Sequence, residues 1–286
     1  MIPAREERCG QSLPVALARI GVGAIRRRVF GLRSARVELG GRGVFLDADL
    51  DTAIGLHVYR HGWCDAAAGA LDRLLDRGDV VVDGGANIGA FSLVAASVVG
   101  PEGAVHAVEG APATVALLRR SVLANPGYAI CVHEVALADA EGVLDFTTFE
   151  AGSGYSSFAP AAEGTATRVP ATTLDALTAP LPRVDLVKLD LEGAELRALR
   201  GAGRLLAERR PTLLLELEPS HLARQGGSLA EVEALLTAAG YTAFAIVRQR
   251  GEIEFAAMKS PWHRPAGEPN VVAVPLERRT RLTGVS

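Results

Sequence analysis

The stretch "DVVVDGGANIGAFSLVAAS", from Asp79 to Ser97, decides the fold. Its apolar run ending at Asp83 predicts a buried strand, and the apolar residues that follow Gly89 predict a helix. The glycines between them predict a tight turn. A strand, a glycine turn and a helix are the usual arrangement for binding a nucleotide at the carboxyl end of the strand. The same turn also occurs where it has only a structural role.

The rest of the chain repeats this alternation. Short apolar strands are predicted at 80–83, 104–109, 129–135, 184–190, 211–217, 241–247 and 270–275. Amphipathic helices are predicted between them at 88–98, 112–124, 194–207 and 228–239. This order predicts an α/β fold with a doubly wound, mostly parallel, seven-stranded sheet.

The N-terminal part has a different pattern. "RVELGGRGVFLDA" predicts a hairpin that turns at 40–43, and residues 12–29 predict a helix. We therefore divide the chain into an N-terminal helix and hairpin extension, 1–64, and a main domain, 65–286. No stretch reaches the roughly 20 apolar residues that a membrane span needs. Helix 12–29 ends in three arginines, and we expect it to pack on the domain with this basic end in solvent; association with a membrane surface is the alternative.

The composition excludes several functional classes. Of 286 residues, 49% are hydrophobic, which is enough for a sizeable core, and the formal net charge of −3 gives no sign of nucleic-acid binding. The cysteines, Cys9, Cys64 and Cys131, are far apart and show no disulfide or metal-ligand spacing. We therefore expect a cytoplasmic protein without a metal.

The glycine turn does not follow the dinucleotide pattern G-x-G-x-x-G, because its glycines are Gly84, Gly85 and Gly89. Asp83 would also repel a diphosphate. A carboxylate there better suits a cationic ligand with an ammonium and a sulfonium, which is S-adenosylmethionine. Glu109 ends the next strand, where an acid accepts hydrogen bonds from a ribose diol.

The turn "DGGANIG" looks like the D-x-G-A-N-x-G form of the class I methyltransferase motif, and the chain resembles the FkbM family of S-adenosylmethionine-dependent methyltransferases. Order and spacing match that family across about residues 45–275. The matching segments are "HVYRHGWCD" (57–65), "GDVVVDGGANIGAFSLVAA" (78–96), "AVEGAP" (107–112), "ALADAEG" (136–142), "GYSSF" (154–158), "VDLVKLDLEGAELRALRG" (184–201) and "RPTLLLELEP" (210–219).

The resemblance implies a cofactor site at the edge of the sheet. The turn 83–89 would hold the methionine portion, Glu109 the ribose hydroxyls, and the segment 136–139 the adenine. Asn87 tolerates a left-handed backbone better than most residues. The residues assigned to the cofactor are Asp83, Gly85, Ala86, Asn87, Gly89, Glu109, Ala136, Asp139 and Asp190.

The stretch "KLDLEGAE" supplies the candidate base. Asp190 ends a predicted strand at the same edge as Asp83, where a carboxylate faces the transferred methyl group and the acceptor. Glu216, on the same edge, and His61 are further catalytic candidates. Asp190 and Glu192 also suit a divalent metal, but no third oxygen donor is evident, so we predict none.

Candidate acceptor contacts lie in loops. Tyr155, Ser156 and Ser157 offer hydroxyls in the glycine-rich loop 152–158, which also has the composition of an ordinary surface loop. The remaining candidates are Glu192, Trp262 and His263, of which Trp262 either stacks on an acceptor ring or anchors its loop.

These residues predict an S-adenosylmethionine-dependent O-methyltransferase that acts on a hydroxyl of a small molecule. The resemblance implies a sugar or a polyketide-type secondary metabolite as the acceptor. N-methylation, carboxyl methylation and a non-catalytic cofactor-binding subunit are the alternatives, and Asp190 with the intact turn argues against the last. We expect no nucleic-acid partner and no stable membrane insertion, and the sequence is compatible with a homodimer.

Overall fold

The computed structural model describes residues 33–62, 66–148, 156–157, 165–249, 252–263, 269–278 and 282. The helix predicted at 12–29, together with Cys9, Cys64 and Tyr155, lies outside the described residues. Among the described residues, no helix is both long enough and apolar enough to cross a membrane.

The elements alternate along the chain much as predicted. The strands are β1 (Ser34–Glu38), β2 (Phe45–Asp49), β3 (Val80–Gly84), β4 (Ala104–Glu109), β5 (Ile130–Glu134), β6 (Ala136–Leu137), β7 (Gly142–Thr148), β8 (Ser156–Ser157), β9 (Thr165–Thr172), β10 (Leu186–Leu189), β11 (Thr212–Glu216), β12 (Tyr241–Gln249), β13 (Glu252–Ala257) and β14 (Asn270–Pro275). The α-helices are α1 (Ala53–His61), α2 (Ala66–Leu74), α3 (Ala90–Val99), α4 (Pro112–Leu123), α5 (Leu174–Thr178), α6 (Glu195–Arg200), α7 (Pro219–Arg224) and α8 (Leu229–Ala238).

The main sheet has the strand order β13-β12-β14-β11-β10-β3-β4-β5. Its five strands from β11 to β5 pair in parallel, whereas β14 is antiparallel to both β11 and β12. This confirms the doubly wound, mostly parallel sheet. Over the described residues the sheet has eight strands rather than the seven predicted, because β13 extends the edge as a hairpin with β12.

The additional strand, β13, has one half-buried and one exposed face. Ile253 and Phe255 are half-buried, while Glu252 and Glu254 are exposed. Arg73 on α2 donates a hydrogen bond to the Ile253 carbonyl oxygen at 2.7 Å. Its guanidinium also lies 4.6 Å from the centre of the Phe255 ring. Helix α2 therefore fixes this outer strand to the body of the sheet.

The central strands are buried because helices cover both faces of the sheet. Every residue of β3 and β10 is buried. Successive side chains of a strand point to opposite faces, so Val81 belongs to one hydrophobic cluster and Val82 to another. The carboxyl ends of the parallel strands all lie at one edge of the sheet, which is where open α/β sheets bind ligands.

The predicted hairpin is confirmed: β1 and β2 pair antiparallel, and the turn includes left-handed glycines at 40, 41 and 43. Leu46 of β2 packs in the same cluster as Val81 of the main sheet. The Asn125 side chain accepts the Phe45 N–H at 2.8 Å and donates to the Phe45 carbonyl at 2.7 Å. The division at residue 64 stays a prediction.

The segment between β5 and β10 forms a second sheet, of order β6-β9-β7-β8. The helix predicted at 194–207 is instead the short α6 followed by a π-helical turn at Leu205–Arg209. Gly201 separates the two where the chain passes close to another loop: a Cβ there would lie 2.4 Å from the Ala138 carbonyl oxygen.

Candidate active site

The turn after β3 has the backbone conformation that its sequence predicts. Gly85 (φ 75°), Asn87 (φ 49°) and Gly89 (φ 94°) are all left-handed. The N–H groups of Gly85 and Ala86 both donate to the Val108 carbonyl oxygen at 3.0 Å, which ties the turn to the end of β4. Asn87 therefore occupies a conformation that few residues other than glycine adopt readily.

Glu109 lies directly beside this turn at the end of β4. Its Oε2 accepts the Asn87 N–H at 3.0 Å, and its Oε1 accepts the Ala111 N–H at 2.8 Å. Burial raises the pKa of Glu109, although these two N–H groups oppose the shift. The carboxylate therefore connects the two loops that border the carboxyl end of β4.

Asp83 is fully buried and its charge is paired within the protein. Its Oδ1 lies 3.1 Å from Nζ of Lys188, and its Oδ2 accepts a hydrogen bond from the Ser92 hydroxyl. Lys188 also donates to the Gly85 carbonyl oxygen at 3.0 Å and lies 3.5 Å from Oδ2 of Asp190. Asp83 thus stabilises Lys188 beneath the turn. A contact between the Asp83 carboxylate and the ammonium of a ligand stays a prediction.

Asp190 follows β10 and lies against the glycine turn. Its N–H donates to the Gly84 carbonyl oxygen at 3.1 Å. A Cβ on Gly85 would lie 1.9 Å from the Asp190 carbonyl oxygen, so the two backbones are in direct contact there. The structure therefore brings Asp190 to the edge of the turn, as predicted from the strand ends.

Three carboxylates meet at this edge. Ligand atoms of Asp190, Glu192 and Glu216 all lie within 4.8 Å of one another. Burial, followed by the nearby charge of Asp190, raises the pKa of Glu192 to about 7 and the pKa of Glu216 to about 9. At neutral pH Glu216 is therefore protonated, and Glu192 is protonated in part. Glu216 is also the third oxygen donor that the sequence did not place, so the trio has the ligand set for a divalent cation.

Two further side chains hold the loop that carries Glu192. Glu195 is 1% exposed, and its Oε1 accepts the N–H groups of Leu191 at 2.6 Å and Gly193 at 3.3 Å. Nδ1 of His221 lies 3.0 Å from Oε2 of Glu192. Glu192 itself has a left-handed backbone, with φ 53°. These contacts fix the position of Glu192 relative to its neighbours.

Residues 83–243, more than half of the chain, match the model of the methyltransferase FkbM domain. The chain belongs to the FkbM methyltransferase family. None of the curated proteins matches it.

Solved structures of methyltransferases resemble this chain at low identity. The crystal structure of methyltransferase FkbM from Methylobacillus flagellatus KT is 18% identical with a TM-score of 0.46, over 70% of this chain and 44% of that chain. The chain therefore spans less than half of that protein. Fibrillarin from Aeropyrum pernix, with natively bound S-adenosyl-L-methionine, is 16% identical with a TM-score of 0.41, over 73% of each chain. An S-adenosylmethionine-dependent O-methyltransferase from Thermotoga maritima is 12% identical with a TM-score of 0.41, over 74% of this chain and 65% of that chain.

The segment predicted to contact adenine lies next to Glu109. A Cβ on Gly110 would lie 3.3 Å from Cβ of Ala136, which is buried in β6. Asp139 lies further along, where its Oδ1 accepts from Arg197 at 3.0 Å. Burial opposes ionisation of Asp139, but Arg197 outweighs it and lowers the pKa. Contact of either residue with a base stays a prediction.

The other predicted site residues fall in several places. His61 ends α1, but its side chain lies outside the described part of the chain. Ser156 and Ser157 form β8, which pairs with the end of β7; Tyr155 and the side chains of both serines are outside the described residues. Their contact with an acceptor therefore stays a prediction.

Trp262 and His263 lie near the β12–β13 hairpin. Trp262 is buried in a hydrophobic cluster, and its backbone N–H donates to Oε2 of Glu233 at 2.8 Å, so it anchors its loop. His263 lines a cavity of about 280 Å³ with residues 256–261. Only β14 lies between β12 and β11, the strand that ends in Glu216, but none of the residues that line this cavity belongs to the carboxylate trio.

Proposed function

We propose that this FkbM methyltransferase binds S-adenosylmethionine at the turn 85–89 and Glu109. Each oxygen of Glu109 accepts one backbone N–H and retains a lone pair for a ribose hydroxyl. The left-handed turn leaves the Asn87 amide as a further hydrogen-bonding group beside it. S-adenosylmethionine, when bound, supplies an activated methyl group. The residues present therefore fit this cofactor by their chemistry.

We further propose that the acceptor is a hydroxyl of a small molecule, of the sugar or polyketide type. The observation that carries this proposal is the position of Asp190, in backbone contact with the turn and within 4.8 Å of Glu192 and Glu216. A hydroxyl must lose a proton as it is methylated, and Asp190 is the carboxylate that we assign to remove it. Burial, followed by the charge of Asp190, raises the pKa of Glu216 to about 9, so Glu216 stays protonated beside Asp190 at neutral pH.

The same trio bears on the alternative acceptors. A carboxylate acceptor would add a fourth acid to the group, so the local charge disfavours carboxyl methylation. An amine acceptor carries no such penalty, and N-methylation is therefore the second candidate. Holding the acceptor in line with the methyl group accelerates either reaction, and proton removal adds to this only where the nucleophile needs it.

Calorimetry with S-adenosylmethionine tests the cofactor assignment on the full chain. We expect one binding site and a weaker site in Glu109→Gln, which keeps the size of the side chain but loses its charge. Absence of binding to the unsubstituted protein overturns the proposal. A screen of hydroxylated and aminated compounds with labelled methyl donor then tests transfer, and the same screen with a chelator tests the metal alternative. Cofactor binding without transfer to any compound supports the non-catalytic alternative.

A further inference from the structure

His106, Cys131 and His133 form a cluster at the β5 edge of the sheet, away from the carboxylate trio. Cys131 pairs with His106 across β4 and β5, and His133 lies two residues further along β5. Alternate residues of a strand share a face, so all three side chains lie on one side of the sheet. One ligand atom from each lies within 4.8 Å of the others.

The two imidazoles are already close to the spacing of metal ligands. Nδ1 of His106 lies 3.0 Å from Nε2 of His133, so one nitrogen donates a hydrogen bond and the other accepts it. In a tetrahedral zinc site with bonds of about 2.05 Å, two ligand nitrogens lie about 3.3 Å apart. The pair therefore needs to separate by only about 0.3 Å, with a tilt of the rings, to direct both lone pairs at one ion.

The surroundings leave these ligands accessible. Cys131 is exposed and the two histidines are half-buried, so an ion reaches the cluster from solvent. Neutral imidazole and thiolate are the forms that bind metal.

We propose that His106, Cys131 and His133 bind a transition-metal cation of the Zn²⁺ class, with the fourth coordination position open. Nitrogen and sulfur donors select such ions over Mg²⁺ and Ca²⁺, which prefer oxygen. The ion links β4 to β5 at the end of the sheet. The sequence around Cys131 does not show the complete ligand set, because His106 comes from the neighbouring strand β4. The site is independent of the proposed methyl transfer.

Titration of the full chain with Co²⁺ under reducing conditions tests this site. We expect one equivalent to bind with a thiolate-to-cobalt charge-transfer band and visible bands of a tetrahedral ion, and Zn²⁺ but not Mg²⁺ to displace it. Cys131→Ser and His133→Ala remove one ligand each, and we expect affinity at least about tenfold weaker. His57→Ala, which changes an exposed histidine of α1, is the matched control and should bind like the unsubstituted protein.

A second measurement separates lost ligation from lost folding. Zn²⁺ should raise the thermal unfolding midpoint of the unsubstituted protein and of His57→Ala, but not that of Cys131→Ser, whose exposed side chain contributes little to packing. The proposal is overturned if Co²⁺ binds without a thiolate band, or if Cys131→Ser binds as tightly as the unsubstituted protein. Binding of Zn²⁺ in the millimolar range alone also overturns it.

Discussion

Lys188 holds the charges of the candidate active site together. It is 7% exposed, and its ammonium contacts the carboxylates of Asp83 and Asp190 and the Gly85 carbonyl oxygen. Phe91 covers it from one side, with the ring centre 5.4 Å from Nζ. A buried carboxylate left without its cation is costly, so the fold depends on Lys188 to pair with Asp83 beneath the turn.

We expect Lys188→Met to lower the free energy of unfolding by roughly 3–5 kcal/mol, because it leaves Asp83 buried and unpaired. The double variant Asp83→Asn with Lys188→Met removes both charges and should recover part of this loss. Urea denaturation of the two single variants and the double variant measures the coupling. A purely additive result would contradict the pairing.

Asp190→Asn should reduce turnover by about 10²–10⁴-fold, because an amide cannot remove the acceptor proton. Affinity for S-adenosylmethionine should stay nearly intact, since Asn preserves the size and the backbone contact. Steady-state kinetics with an identified acceptor and calorimetry with the cofactor measure the two effects. Asp72→Asn, at a surface aspartate paired with Arg42, is the control. Loss of cofactor binding alone would make Asp190 a cofactor residue.

Glu195 should make stability depend on pH. Burial raises its pKa from 4.5 to about 7, so the folded protein keeps a proton that the unfolded chain releases. Its stability contribution is therefore present below pH 4.5 and is lost as pH rises to about 7, with a slope of at most about 1.4 kcal/mol per pH unit.

Denaturation of Glu195→Gln between pH 4.5 and 8 tests this dependence. The glutamine keeps an oxygen for the Leu191 and Gly193 N–H groups but does not titrate. Its unfolding free energy should therefore fall less steeply than that of the unsubstituted protein. Glu208→Gln, at an exposed glutamate, should leave the slope unchanged. Equal slopes in Glu195→Gln and the unsubstituted protein would show that Glu195 is ionised throughout.

Among the elements, the glycine turn depends most strictly on its backbone. Gly78 and Gly85 are both left-handed, with φ 84° and 75°, but only Gly85 faces another backbone atom, the Asp190 carbonyl oxygen. Gly78→Ala should therefore cost roughly 1–3 kcal/mol from backbone conformation alone. Gly85→Ala should cost more and abolish cofactor binding. Thermal unfolding and calorimetry of both variants distinguish the steric contact from the conformational cost.

Elements with strong patterns could be predicted from the sequence, and two others could not. The apolar runs of β3 and β10 define strands at once, whereas the sequence predicts no element between the strands at 241–247 and 270–275, where β13 lies. Its alternation of Glu and Ile is the period of a half-buried strand, but it covers only six residues. The helix after Asp190 was predicted too long, because its apolar periodicity continues past Gly201 and does not reveal the close approach of another loop.

The same limit applies to the site. The acids at strand ends could be predicted, since parallel strands bring their carboxyl ends to one edge. A pairing of Lys188 with an acid could be predicted, but not that Asp83 is the partner, because this depends on β10 lying next to β3 in a register that aligns the two residues. The third carboxylate of the trio likewise requires the register of β10 and β11. Such distances come from the sheet order, which one sequence does not encode locally.

At the scale of the whole molecule, the hairpin and the main sheet share one hydrophobic cluster. Arg120 reinforces the link with two hydrogen bonds to Asp47, each 3.1 Å. We expect circular dichroism and intrinsic fluorescence to report a single unfolding transition. Asn125→Ala should lower the free energy of unfolding by roughly 1–3 kcal/mol, because it leaves the Phe45 N–H and carbonyl without their partner. Two separated transitions would contradict this coupling.

The outer strand β13 also bears on how copies of the protein meet. A free sheet edge is a template for another strand, and proteins that stay dispersed protect such edges with charge or cover. Here Glu252 and Glu254 place negative charges along the edge, and Arg73 takes up the Ile253 carbonyl oxygen. Two copies that met edge to edge would oppose like charges. Self-association should therefore use other surfaces, and this edge should resist fibrillar aggregation.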